Sequence, residues 1–262
     1  MSEFKKISEQ NPELYTKFIE QFNRPLKEGL YQDYSNRDEL LDLVRFKSST
    51  EEGYTSLASY KERMKSDQKS IYYITGSNEN SLRNSPLLTS YKETGIEVLL
   101  MTDDIDDIVI SSVGKYKDIT LKAVNKSGAM DDFLTEEEKK KAKEEGSDIA
   151  EKLKKALGDK VKDVIVSTRL SDVSAVVVSD ENDPSVQMQQ VLKAMGQQDY
   201  EGSAPILEVN SNDSFVKKIV ASEDESFISD AASVLLDQAL LSEGVMPKDP
   251  ASFARKLHSL LS

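Results

Sequence analysis

The chain has 262 residues, 38% hydrophobic and 31% charged, with a formal net charge of −13, one histidine and no cysteine. That length allows one large domain or two modest ones, and the charge fraction suits a soluble, helix-rich, open assembly better than a single tight globule. Phosphate backbones would be repelled on average and no basic stripe interleaves with aromatics, so nucleic acid is a poor partner. The lack of cysteine excludes disulfides, thiolate zinc sites and cysteine nucleophiles and fits a reducing compartment.

His258 is the lone histidine. With no cysteine beside it, a transition-metal site is not expected, and a Ser-His-Asp triad would have to be built inside an apolar terminal helix. No run of eighteen apolar residues is present, so no transmembrane helix is expected. The first six residues carry no apolar signal core, which makes the cytoplasm the expected location and a membrane an unlikely partner.

Residues 1–70 read as a helical connector. Asn11-Pro12 is a cap followed by proline at the first helical position, and Leu14, Phe18 and Phe22 follow at four-residue spacing. Pro25 is expected to end or restart that helix. Asn36 is expected to cap another, and Leu57, Tyr60 and Met64 line a third. Over 71–132 the period changes to strand–helix–strand. Strands are expected at Ile71–Thr75, Glu97–Met101 and Asp118–Val124, with Ser85-Pro86 and Gly95 bounding one helix and Thr102 or Asp103 capping another. Residues 133–158 form a charged helical linker, where Thr135 and Glu138 have capping-box spacing and Ser147 starts a further helix stopped by Gly158. Residues 159–262 hold strands at Val161–Ser167, Ala175–Ser179 and Pro205–Val209. A helix spans about Ser185–Met195, another follows Asp213, and two amphipathic helices close the chain. The expected class is α/β, α+β overall: a helical connector, a small three-layer αβα unit, then a mixed α/β domain ending in a helix pair.

Three features bear on chemistry. The Thr75-Gly76 turn between strand and helix has one glycine and matches neither phosphate-loop pattern, so it reads as a plain turn. Asp103, Asp104, Asp106 and Asp107 could gather magnesium, but they also sit where a helix N-terminus favours acids. The stripe Met188, Val191, Leu192, Met195 is either an ordinary core face or an adaptable surface, since methionine is flexible and polarizable. The terminal helices present Phe227, Ile228, Ala231, Ala232, Leu235, Leu236, Ala239 and Leu240, then Phe253, Leu257, Leu260 and Leu261. These faces need a cover, either the rest of the domain or a second copy forming a four-helix bundle.

The stretch Arg63–Gly76 (RMKSDQKSIYYITG) resembles the middle segment of the heat shock protein 90 chaperones of the bacterial HtpG type. So do Asn36-Arg37 through Phe46, Asn84–Leu87, Gly95–Leu100 and Thr102–Asp106. Val161–Val164 with Thr168–Leu170, and Leu235–Leu241 with Asp249-Pro250, resemble that family's C-terminal dimerisation domain. The resemblance spans all but the charged linker. It implies the C-terminal half of an ATP-dependent chaperone, with the ATP-binding domain and the first part of the middle segment outside these residues. It therefore implies no enzyme activity and no cofactor here, ATP and magnesium belonging to the full-length protein. The partners it implies are a second copy, partly folded client proteins and co-chaperones. By position it assigns client contact to Met188, Val191, Leu192 and Met195, and to Asp107 and Ile108, where Ile108 replaces the tryptophan of the resembled type. It assigns the dimer interface to the two terminal helices. A small-ligand or nucleotide-binding enzyme, or an acidic scaffold, are the alternatives.

Overall fold

The computed structural model describes residues 2–194 and 202–262. They fall into two units, one comprising the chain to Asn84 and Tyr91–Val124, the other Ser85–Ser90 and Asn125–Ser262.

The first unit opens with helices α1 (Ser2–Gln10) and α2 (Pro12–Gln32). Asn11 caps α2, its Oδ1 accepting the Leu14 N–H at 3.1 Å. The break expected at Pro25 is absent: α2 runs through it. Proline removes one helical hydrogen bond, but Lys27 and Leu30 are buried on the continuing helix. Asn23 also pins the same turn by exchanging hydrogen bonds with the Arg45 backbone, at 2.8 and 3.1 Å. Helix α3 (Arg37–Leu43) follows a 3-10 turn capped by Asp33. The Asn36 side chain, expected to cap α3, is bonded to Asp33 instead.

Two short strands come next, β1 (Phe46–Ser48) and β2 (Tyr54–Thr55), so residues 1–70 are not wholly helical. After α4 (Leu57–Arg63) the chain alternates through β3 (Ser70–Thr75), α5 (Glu79–Arg83), α6 (Thr89–Glu93), β4 (Val98–Met101) and α7 (Asp106–Val113). It then forms the hairpin β5 (Lys115–Tyr116) and β6 (Ile119–Ala123). The sheet order is β2-β1-β4-β3-β6-β5, with β3 parallel to both β4 and β6 and the outer pairs antiparallel. All six residues of β3 are buried, as expected for an apolar run covered on both faces.

Several polar groups within this core are paired. Tyr60 Oη donates to the Glu97 carbonyl at 2.6 Å and accepts the Tyr72 N–H at 3.1 Å. Arg63 grips the Glu97 carboxylate with Nε and Nη2 at 2.9 and 2.7 Å, and Ser48 Oγ donates to the same group at 2.6 Å. The Arg63 of the RMK motif thus ties α4 to the residue just ahead of β4.

The second unit begins with α8 (Glu136–Leu157), one continuous helix with no restart at Ser147. Its N-terminus has the expected capping box, with Thr135 Oγ1 accepting the Glu138 N–H and Glu138 Oε2 accepting the Thr135 N–H at 2.8 Å. Strands β7 (Asp163–Val166) and β8 (Ala175–Val178), helix α9 (Val186–Ala194) and β9 (Ile206–Val209) follow. Helices α10 (Ser214–Ala221), α11 (Glu225–Ser242) and α12 (Pro250–Leu261) complete the unit. The sheet order is β7-β9-β8, with β7 parallel and β8 antiparallel to β9. One core joins Leu153 and Leu157 of α8, Val164, Val177 and Leu207 of the sheet, and Ala231, Leu235 and Leu236 of α11.

Lys27 provides a test of the first unit. Its Nζ lies 2.7 Å from Asp106 Oδ1 and 2.6 Å from Asp103 Oδ2, and Asp106 has no exposed surface. Replacing Lys27 by methionine strands a buried carboxylate, and urea unfolding should show a loss of about 3–5 kcal/mol. Adding Asp106→Asn to Lys27→Met should recover part of that loss. A single variant as stable as the parent would show that the pair is not needed.

Candidate functional site

Helix α7 is set by its own acids. Asp103 N–H donates to Asp106 Oδ2 at 3.0 Å, while the Asp106 N–H returns to the Asp103 carbonyl at 2.9 Å. The Asp103–Asp107 cluster is therefore mostly spoken for. Lys27 takes Asp103 and Asp106, Arg24 takes Asp104, and Thr75 Oγ1 lies 3.4 Å from Asp107 Oδ1. Burial pushes the Asp106 carboxyl up, and Lys27 pulls it back. Among the described residues no group of three or more histidine, cysteine or acidic side chains is arranged to hold a metal ion. The apolar side chain that α7 leaves in solvent is Ile108, 43% exposed beside the half-buried Asp107.

The Thr75-Gly76 turn is shaped by packing. Gly76 N–H donates to the Met101 carbonyl at 3.0 Å, and a Cβ at Gly76 would lie 2.3 Å from Leu82 Cδ2. The glycine is there to admit Leu82, and its amide is already used.

Helix α9 splits the predicted stripe. Met188 is 6% exposed, whereas Val191 and Leu192 are half-buried and Met195 lies outside the described residues. Ser185 Oγ accepts the Met188 N–H at 3.1 Å, and Gln189 Nε2 donates to the Pro184 carbonyl at 3.1 Å. Two lysines distant in sequence brace the turn that leads in. Lys162 Nζ sits 3.0 Å from both Asp180 Oδ2 and Asp183 Oδ2, and Lys126 Nζ donates to the Asp180 and Asp183 carbonyls. Lys126 and Lys162 escaped the sequence reading because nothing local links them to residues 180–183.

The terminal helices are unequal. On α11, Ile228, Ala231, Ala232, Leu235, Leu236 and Ala239 are buried in the core of their own unit, with Phe227 and Leu240 at its margin. Helix α12 has no buried residue. It lies along α11, with Lys256 Nζ 3.1 Å from Asp230 Oδ1 and Leu260 touching the core. Phe253 is half-buried, and Leu257 and Leu261 are 37% and 80% exposed. The open apolar surface thus belongs to α12, joined by Leu241 in the last turn of α11 and Met246 between the helices.

Among the described residues no helix is long and apolar enough to cross a membrane. The family model for the Hsp90 protein matches residues 1–262. The chaperone protein HtpG of Treponema denticola is 51% identical over 269 aligned positions, which take in 100% of this chain and 42% of that protein. HtpG of Treponema pallidum is 46% identical with the same coverage. HtpG of Aliarcobacter butzleri is 48% identical over 98% of this chain and 41% of its own length. The chain thus spans about two-fifths of the length of these curated relatives.

Glu243, at the end of α11, generates a pH prediction. Burial pushes its carboxyl up to about 7, although part of the side chain still meets solvent. A raised carboxyl pKa favours the fold below the unfolded value near 4.5 and loses that contribution as pH rises through 7. Glu243→Gln should therefore gain on the parent between pH 5 and pH 8, by about 1–2 kcal/mol after discounting for exposure. Parallel melting curves for the two proteins across that range would refute the assignment.

Proposed function

Because the chain belongs to the Hsp90 family, we propose that it is the dimerising and client-holding part of an ATP-dependent chaperone. The observation that carries this reading is α12, an amphipathic helix with no buried residue at the end of a well-packed unit. A second copy would cover Leu257 and Leu261 and make a four-helix bundle from two helices per subunit. Partly folded proteins would be held at dispersed apolar positions, Ile108 on α7 and Val191 and Leu192 on α9. Apolar side chains that are exposed or only partly buried can serve varied partners without shape-specific pockets. The relatives from both Treponema species are HtpG chaperones, which supports the same reading. ATP chemistry would lie in parts of the relatives that this chain does not align with, so these residues alone should not hydrolyse ATP.

Leu257→Asp with Leu261→Asp tests dimerisation. Both side chains are exposed, so each change should alter stability by no more than about 0.5 kcal/mol. Light scattering should then report a dimer for the parent and a monomer for the variant. A monomeric parent at tens of micromolar would remove the proposal. Leu236→Asp is the wrong probe, because Leu236 sits in the core and its loss would unfold the unit.

Client holding is tested by Val191→Ser with Leu192→Ser. The expected outcome is near-normal melting, an intact dimer and weaker protection of an aggregating protein. Met188→Ser should instead lower stability by about 2–5 kcal/mol, as for other buried methionines. If the Val191–Leu192 variant protects as well as the parent, α9 is not a holding surface. Calorimetry with Mg-ATP should give no heat beyond dilution.

A further inference from the structure

The second unit contains a cleft of about 430 Å³ between α8, β7 and the segment 128–134. Helix α8 lines it from Lys139 to Glu151 at positions three and four apart, with Ala142, Gly146 and Ala150 as its small floor. Twelve helical steps make that wall about 18 Å long. The approach is close: a Cβ at Gly146 would lie 2.4 Å from Val166 Cγ2.

The opposite wall includes all four residues of β7, Asp163 to Val166. Successive strand side chains point to opposite faces, so a cavity touched by four in a row reaches the edge of the strand. The ladder with β9 pairs Asp163 with Ile206 and Val166 with Val209, and Ser167 N–H donates to the Val209 carbonyl at 2.8 Å. In a parallel pair, alternate residues turn both N–H and C=O toward the same neighbour. Ile165 and Ser167 therefore serve β9, and Val164 and Val166 point to the other edge. Among the described residues β7 pairs with no second strand. The Val164 N–H is held only by the neighbouring Asp163 Oδ1, at 2.8 Å.

We propose that this cleft takes an extended peptide, added as a fourth strand along the free edge of β7. At about 3.3 Å per residue the α8 wall accommodates four or five residues, and the volume falls in the range of ordinary ligand sites. Its rims carry both signs, Lys139 and Lys143 against Asp131 and Glu151, so charge selects little. The buried Arg169 is held by Glu208 through Nε and Nη2 at 2.9 and 2.7 Å, so its charge is already committed within the unit. Backbone pairing supplies the recognition, and Ala142 and Ala150, on either side of the Gly146–Val166 contact, set the preference for small or β-branched side chains. The inference needs neither the dimer nor client contact at α9, and its failure would leave both of those tests standing.

The probe is the capped heptapeptide Ser-Val-Thr-Val-Thr-Val-Ser, titrated into the full chain and followed by backbone NMR. Shifts should concentrate at Val164–Val166 and Ala142–Ala150, and amide exchange at Val166 should slow while Ile165, already paired, stays unchanged. The same peptide N-methylated at alternate residues should bind at least about tenfold more weakly, because it cannot donate to the edge. Ala142→Trp, which fills the cleft, should weaken binding to a similar degree. Should that variant fold poorly, the N-methylated peptide on the parent protein decides. Equal binding of the two peptides, unchanged Val166 exchange, shifts centred elsewhere, or no binding at millimolar peptide would each overturn the proposal.

Discussion

Asp106 has no exposed surface, and a bare carboxylate in that position would cost several kcal/mol. It is tolerated because Lys27, reaching from α2 across 79 residues of sequence, sits against it at 2.7 Å. That contact explains several otherwise unrelated features of the first unit. It keeps α2 helical beyond Pro25 and fixes the first turn of α7. By way of Asp103 it also sets the end of the loop after β4. Lys27 lies over the Phe46 ring as well, 5.0 Å from its centroid, which brings β1 into the same junction. Arg169 and Glu208 do the equivalent work in the second unit, joining the loop after β7 to the central strand β9.

Helices and strands with strong period or clear punctuation were legible in the sequence. The apolar run Ile71-Tyr72-Tyr73-Ile74 is the central strand, Thr135 does cap α8, and Asp213 caps α10. Strands β1 and β2 were not legible, because three residues and two residues are too few to show a period, and Lys47 and Tyr54 carry no strand pattern. Pro25 misled for a different reason: a local rule was overridden by burial on the far side of the same helix. The charge pairs were invisible on principle. Lys27 with Asp106, Arg63 with Glu97 and Arg169 with Glu208 are 79, 34 and 39 residues apart.

The apolar stripes of α9 and of the terminal helices were half legible. Spacing alone could not say whether the apolar stripe of α11 meets its own unit or another copy. The structure gives most of it to its own core and leaves α12 open. It makes a similar division within α9, where Met188 is buried and Val191 and Leu192 are only partly so. Family resemblance pointed to whole helices; solvent exposure separates the residues that hold each helix in place from those left at the surface.

The large sheet ends on both sides in strands of two residues, β2 and β5. Each is turned antiparallel to its neighbour, and β5 enters β6 through Lys117, a non-glycine residue with φ of 53°. So short an outer strand gives another chain little length on which to register. Beside chains whose own strands are unpaired, edges this short resist recruitment into cross-β aggregates. The first unit can stand among aggregating chains without its sheet becoming the template on which they grow.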